Sequence, residues 1–142
     1  MRYLGLDLGT RTLGLSLSDT TLTIASTLKT IRYEENDYEF LLNELESIIE
    51  EYNISKLILG YPKNMNNTIG ERCQTTLEFQ KLLVDKFNIE VILQDERLTT
   101  VEATNYMLKA DISRKKRKEK VDALAANIIL QTYLDKERGG KI

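Results

Sequence analysis

The chain has 142 residues, 42% of them apolar and 30% charged, a composition expected of one globular domain and too short for two of full size. It holds no histidine and one cysteine, which excludes serine–histidine and cysteine–histidine catalysis, histidine-ligated zinc and any internal disulfide; hydrolysis would rest on carboxylates, lysine, hydroxyls or a hard metal bound through oxygen. The net charge is −2, yet Arg114-Lys115-Lys116-Arg117-Lys118 puts five cations in a row and leaves −7 on the rest, so a basic segment on an acidic body could steer a polyanion to one spot.

Residues 3–8 (YLGLDL) and 13–18 (LGLSLS) are short apolar-rich runs separated by Gly9-Thr10-Arg11-Thr12, a hairpin pattern. A third strand is expected near 22–31. Leu41, Leu42, Leu45, Ile48, Ile49 and Tyr52 then recur at helical spacing and predict an amphipathic helix near 37–52. The continuous apolar run 56–60 (KLILG) reads as a buried strand, ended by the only proline, Pro62. A polar loop over 63–70 leads to a helix near 71–86, and 89–93 (IEVIL) is the next strand. Thr99 and Glu102 fit a capping box opening a helix to about Lys109. A basic loop and a last helix near 119–136 complete the order. Strand–helix alternation after the hairpins implies parallel pairing, hence an α/β domain with a single five-stranded mixed sheet flanked by helices. That topology suggests the ribonuclease H-like class, but fold alone does not fix function.

Three carboxylates occupy places where charge is costly. Asp7 shares a strand face with Tyr3, Gly5 and Gly9 while Leu4, Leu6 and Leu8 take the other; on a central strand it needs a partner or a metal, the alternative being satisfaction by backbone amides. Asp122 aligns at helical spacing with Ala125, Ala126, Ile129 and Tyr133, a face expected to pack on the sheet; a first-turn carboxylate favoured by the helix dipole is the competing reading. Glu96 follows the 89–93 strand, at the end where α/β sheets gather ligands; taken alone it reads as a solvated loop charge, and Asp95 competes with it on position. Converging, such groups would make an oxygen-rich site for magnesium or manganese able to support phosphodiester hydrolysis. Thr10, Arg11, Lys63, Asn64 and Arg97 fall near the same edge and could each hold phosphate, although each could equally be an ordinary loop residue. Cys73 reads as a small helix residue without chemistry.

The runs GLDLGTRTLGLSLSD (5–19), LGYPKNMNNTIGERC (59–73), DERLTT (95–100) and SRKKRKEKVDALAANIILQTYL (113–134) together resemble the YqgF or RuvX-like family, pre-16S rRNA nucleases also described as Holliday junction resolvase homologues. The resemblance spans nearly the whole chain. It implies a ribonuclease H-like fold, a magnesium-dependent site on Asp7, Glu96 and Asp122, and so selects Glu96 over Asp95. Departures from the family pattern fall at Thr12, Tyr61, Asn67 and Thr68, none of them in the acidic triad.

The expected function is therefore a metal-dependent nuclease maturing the 5′ end of pre-16S rRNA, with a resolvase of branched DNA as the alternative. Its expected partners are precursor rRNA or branched DNA, and ribosomal particles, met by Arg114, Lys115, Lys116 and Arg117 with the loop residues above; no membrane is expected, and the chain would be a monomer or homodimer. The opening MRYLGLDLG enters a strand pattern at once, no apolar stretch reaches a membrane span, and the lone cysteine suits a reducing compartment, so a cytoplasmic protein is expected. Two further readings compete. An actin- or sugar-kinase-like ATPase would use the 6–19 turn for phosphate, but such proteins need two domains. A non-catalytic nucleic-acid or ribosome-binding module would leave the buried acids without purpose.

Overall fold

The computed structural model describes the backbone of residues 1–61, 71–95 and 114–139, and the side chains of 1–61, 74–94 and 124–137. The elements are β1 (Arg2–Leu8), β2 (Thr12–Ser18), β3 (Ala25–Arg32), α1 (Tyr38–Tyr52), β4 (Ile54–Tyr61), α2 (Glu71–Phe87), β5 (Glu90–Asp95) and α3 (Arg114–Gly139). The expected capping box and helix of 99–109, and the loop from Pro62 to Gly70, lie outside the described residues.

The strands form one sheet in the order β3-β2-β1-β4-β5. β1 pairs antiparallel with β2 and parallel with β4, and β4 pairs parallel with β5. This is the mixed sheet that the strand–helix alternation predicts, with β1 at its centre. Period-two alternation divides β1 between two cores. Leu4, Leu6 and Leu8 pack with Leu41, Leu45, Phe79 and Leu83 beneath α1 and α2. Tyr3, with Ile58 of β4, packs against Ile129, Leu130 and Leu134 of α3. Helices therefore cover both faces, which allows the central strands to be apolar on both sides.

Helix α1 begins where the Asp37 carboxylate accepts from the Phe40 amide and ends at Asn53 in the left-handed conformation (φ 54°), a residue type that tolerates it. Two boundaries differ from the sequence expectation. β3 starts at Ala25, not near 22, because Asp19 Oδ1 accepts from the amides of Thr23 (2.8 Å) and Ile24 (3.0 Å) while Leu22 sits at φ 58°. The aspartate thus offers the backbone a turn in place of a ladder. The basic run 114–118, expected as a loop, instead opens α3. Arginine and lysine are good helix formers, and this local preference extends the helix past the repulsion of its own charges.

Helix α3 is fastened to the sheet at the end remote from the carboxyl edge. Lys56 Nζ of β4 donates to Tyr133 Oη (3.0 Å) and Glu137 Oε2 (3.3 Å) and lies 4.9 Å from the Tyr3 ring centroid; Tyr3 Oη donates to Glu137 Oε1 (3.2 Å). Gln131 bridges to β3, accepting from the Ala25 amide (2.8 Å) and donating to Thr23 O (3.0 Å). Among the described residues no helix is long and apolar enough to cross a membrane.

Candidate active site

Asp7 is the penultimate residue of β1 and pairs with Gly14 of β2. On the other side, Leu6 pairs with Leu59, which Gly60 follows. The absence of side chains at Gly14 and Gly60 leaves lateral space around the Asp7 position on its face of the sheet. Asp7 is half-buried, less enclosed than a mid-strand residue because it stands near the strand's end. It takes part in an interaction within the fold.

The three parallel strands end together. Leu6, Leu59 and Leu93 stand in one row across β1, β4 and β5, so Asp7, Tyr61 and Asp95 approach one edge of the sheet. Helix α3 crosses β1 in the opposite sense. Tyr3 meets Tyr133 and Glu137, whereas Gly5, two residues on, lies under Ala126 and Leu130. Asp122 is in α3, one turn before Ala126; its side chain and those of Arg114, Lys115, Lys116 and Arg117 lie outside the described residues. So do Glu96, Lys63, Asn64 and Arg97 entirely. Among the described residues no group of three or more metal-ligating side chains comes together, since Asp7 is the sole member of the expected triad whose side chain they include. Ala125 and Ala126 are fully buried and Ile129 nearly so, as expected of the helix face that aligns with Asp122.

Thr10 and Arg11 are exposed in the turn after β1. That turn is closed by Gly9 N–H to Thr12 O (2.8 Å) and held from the end of β3, where Tyr33 N–H donates to Arg11 O (3.0 Å) and the Tyr33 hydroxyl donates to Gly9 O. Sequence reasoning missed Tyr33. It follows a strand as many surface tyrosines do, and nothing local marks its hydroxyl as bound to the first turn.

Behind this turn, on the α1–α2 face, opens a cavity of about 280 Å³. Its walls are the end of β1 through Thr10, then Glu35, Asn36 and Tyr38 leading into α1, and Thr75 and Thr76 of α2. Thr76 is buried at 2% exposure. Burial, then the charges of Glu78 and Glu35, push the Tyr38 phenol above its ordinary range. No sequence signal marked this cavity, whose walls come from three distant segments.

A three-stranded antiparallel meander continued by two parallel strands, helices on both faces and an aspartate near the end of the central strand define a ribonuclease H-like domain. Solved structures agree. Thermus thermophilus RuvC, solved in complex with a Holliday junction substrate, shares the fold at a TM-score of 0.57 and 12% identity, over 98% of this chain and 97% of that one. The fowlpox virus Holliday junction resolvase matches at a TM-score of 0.56 and 14% identity, over 97% and 99%. The family model described as "RuvX: Holliday junction resolvase" matches residues 1–136, and the chain belongs to that family. It is 47% identical over 138 residues to a protein of Geobacillus sp. (strain WCH70) named "Putative pre-16S rRNA nuclease", covering 97% of this chain and 100% of the relative. A Bacillus subtilis (strain 168) protein of the same name is 47% identical over 135 residues, 95% and 98% of the two chains.

Proposed function

We propose that this chain, acting as one domain over 1–142, is a divalent-metal-dependent nuclease that matures pre-16S rRNA, with Asp7, Glu96 and Asp122 holding the metal. The observation that carries the reading is the register of α3 on β1. Moving from Tyr3 to Gly5, the helix partners step back from Tyr133 and Glu137 to Ala126 and Leu130. The same step from Gly5 to Asp7 leads toward Asp122. Glu96 directly follows Asp95, at the edge where β1, β4 and β5 end.

The donors fit magnesium or manganese, since all are carboxylate oxygens and Gly14 opposite Asp7 keeps space beside it. When bound, the ion supplies Lewis acidity to a phosphodiester. Asp7 would anchor it from the rigid centre of the sheet, and Glu96 and Asp122 would complete its oxygen shell. Thr10, Arg11, Lys63, Asn64 and Arg97 would hold flanking phosphates, and the α3 cations Arg114, Lys115, Lys116 and Arg117 would attract the strand. Its partner would be precursor rRNA in ribosomal particles, met in the cytoplasm.

The family's resolvase description favours branched DNA as a second substrate. The deciding experiment incubates purified protein with precursor 16S rRNA and with a four-way DNA junction, in magnesium and in EDTA. Magnesium-dependent trimming of the RNA supports the reading. Cleavage of the junction alone favours the second, and cleavage of neither refutes the enzyme.

A further inference from the structure

The cavity behind the first turn has a wall unlike that of a phosphate site. Among the described lining residues none is a cation, and the one charge is the carboxylate of Glu35, which would repel a phosphate. The other described lining groups are hydroxyls, an amide, a tyrosine ring, the Leu8 side chain and Gly9. Asn36 can donate and accept, and Thr75 and Thr76, each already in an interaction within the fold, add hydroxyl groups to the wall. Such a lining suits a neutral planar ligand with N–H groups on its edge, which is the character of a nucleobase.

The walls are built rather than incidental. Asp37 N–H donates to Glu34 O at 2.9 Å, closing a four-residue turn whose central residues are Glu35 and Asn36. Asn36 takes φ 70°, the left-handed conformation that the third residue of a type II turn requires and asparagine tolerates. The turn therefore presents both polar side chains at the cavity's rim. Tyr38 is braced by Phe79 and Tyr33, with ring centroids 5.6 Å and 6.2 Å away. The volume of about 280 Å³ is just under the range of roughly 300–1,000 Å³ that holds drug-sized ligands, and accommodates one base.

The cavity also adjoins the proposed centre. Thr10 is three residues from Asp7, a span of at most about 11 Å. Because Leu8 faces the α1–α2 core and Asp7 the α3 side, the cavity and the carboxylate lie on opposite faces of one strand end. A strand passing over that end could leave its phosphate on one side and turn one unstacked base into the other, as single-stranded RNA readers do.

We infer that this cavity binds one unpaired base of the RNA substrate, guanine in preference to uracil, with Glu35 as the selecting group. The inference rests on the nuclease reading for its ligand's source. A carboxylate has two acceptor oxygens and meets guanine's adjacent ring N–H and exocyclic amine together. Uracil offers one N–H between two carbonyls, which the same carboxylate repels.

The test uses the full chain in EDTA, so that binding is read without cleavage. Backbone amide shifts are followed during titration with GMP and with UMP, and a uridine oligonucleotide with one central guanosine then competes against GMP. GMP should move the amides of residues 8–10, 35–38 and 75–76 and bind at least several-fold tighter than UMP. Glu35→Gln, an exposed change that spares the fold, should cut that preference by about fivefold, the lower end of what one paired contact contributes to base discrimination. The guanosine oligonucleotide should displace GMP and bind tighter than it. Equal binding of GMP and UMP, shifts elsewhere, or a preference unchanged in Glu35→Gln would overturn the base site. An oligonucleotide that fails to displace GMP would overturn the RNA as its source. Magnesium-dependent cleavage by the wild type, measured separately, shows whether the nuclease reading stands when the base site does not.

Discussion

Gly5 and Ala126 touch so closely that a Cβ built on Gly5 would stand 2.9 Å from the Ala126 carbonyl oxygen and 2.8 Å from Leu130 Cβ. Neither neighbour can swing away, since one is backbone and the other is the root of a buried side chain. Gly5→Ala should therefore lift α3 from β1 and cost about 1–3 kcal/mol, the usual range for overpacking. Urea unfolding measures it. Because α3 also carries Asp122, cleavage by the still-folded variant should fall further than the stability loss explains. A variant as stable and active as wild type would show that the helix–strand spacing is not set here.

Asp7→Asn keeps size and some hydrogen bonding but removes the charge that a divalent ion requires. We expect magnesium-dependent cleavage to fall by more than the 10–100-fold typical of losing an outer-shell partner, while RNA binding changes only a few-fold. Equal cleavage by variant and wild type would remove Asp7 from the mechanism.

Much of this was legible in the sequence, and the failures have physical causes. The alternation of Leu4, Leu6 and Leu8 against Tyr3, Gly5 and Asp7 already divides β1 between two faces, and the structure gives each face its own core. The start of β3 was hidden because the bonds from Asp19 to Thr23 and Ile24 leave no trace in hydrophobic pattern. Charge alone makes the basic run at 114 look like a loop, whereas backbone propensity decides its conformation. Tyr33 and the cavity beside Tyr38 depend on contacts between distant segments, which periodicity does not encode. Family likeness, not position along the strand, selects Glu96 over Asp95.

Tyr33→Phe removes the hydroxyl that holds Gly9 O without emptying the core. A single neutral hydrogen bond contributes about 0.5–1.5 kcal/mol, so the fold should survive. The turn carrying Thr10 and Arg11 would lose this tie while keeping the bond from Tyr33 N–H to Arg11 O. If those residues only hold substrate, KM should rise several-fold with kcat nearly unchanged. A fall in kcat at constant KM would assign the turn to the chemical step.

Two carboxylates make stability depend on acid. Hydrogen bonds from Thr21, Ile24 and Thr23 hold Asp19 well below the usual carboxylate range. Burial alone would raise Glu137, but the bond from Tyr133 and the charge and bond of Lys56 outweigh it and pull the group down. A depressed folded-state pKa stabilises the protein above the unfolded value and ceases to do so as pH falls through the folded one. The melting temperature should therefore drop from about pH 5 downward. Asp19→Ala should melt lower near neutrality and show a smaller drop in acid. An undiminished drop in that variant would assign the acid sensitivity elsewhere.

The helical start of α3 makes a sharper prediction about salt than a loop would. On single-stranded nucleic acid each neutralised phosphate contributes about 0.7 to the slope of log affinity against log salt. A loop could turn all four of Arg114, Lys115, Lys116 and Arg117 toward one strand, and any two replacements would then lower the slope equally. In a helix successive positions are about 100° apart, so positions 114 and 117 share a face while 115 and 116 lie around it. One pair of glutamine replacements, either Arg114 with Arg117 or Lys115 with Lys116, should therefore lower the slope by about 1.4 and the other pair by much less. Filter binding of both double variants across a salt series decides it. Equal losses would mean that the strand does not meet this segment as a helix, and no loss from either pair would detach the basic run from nucleic-acid binding altogether.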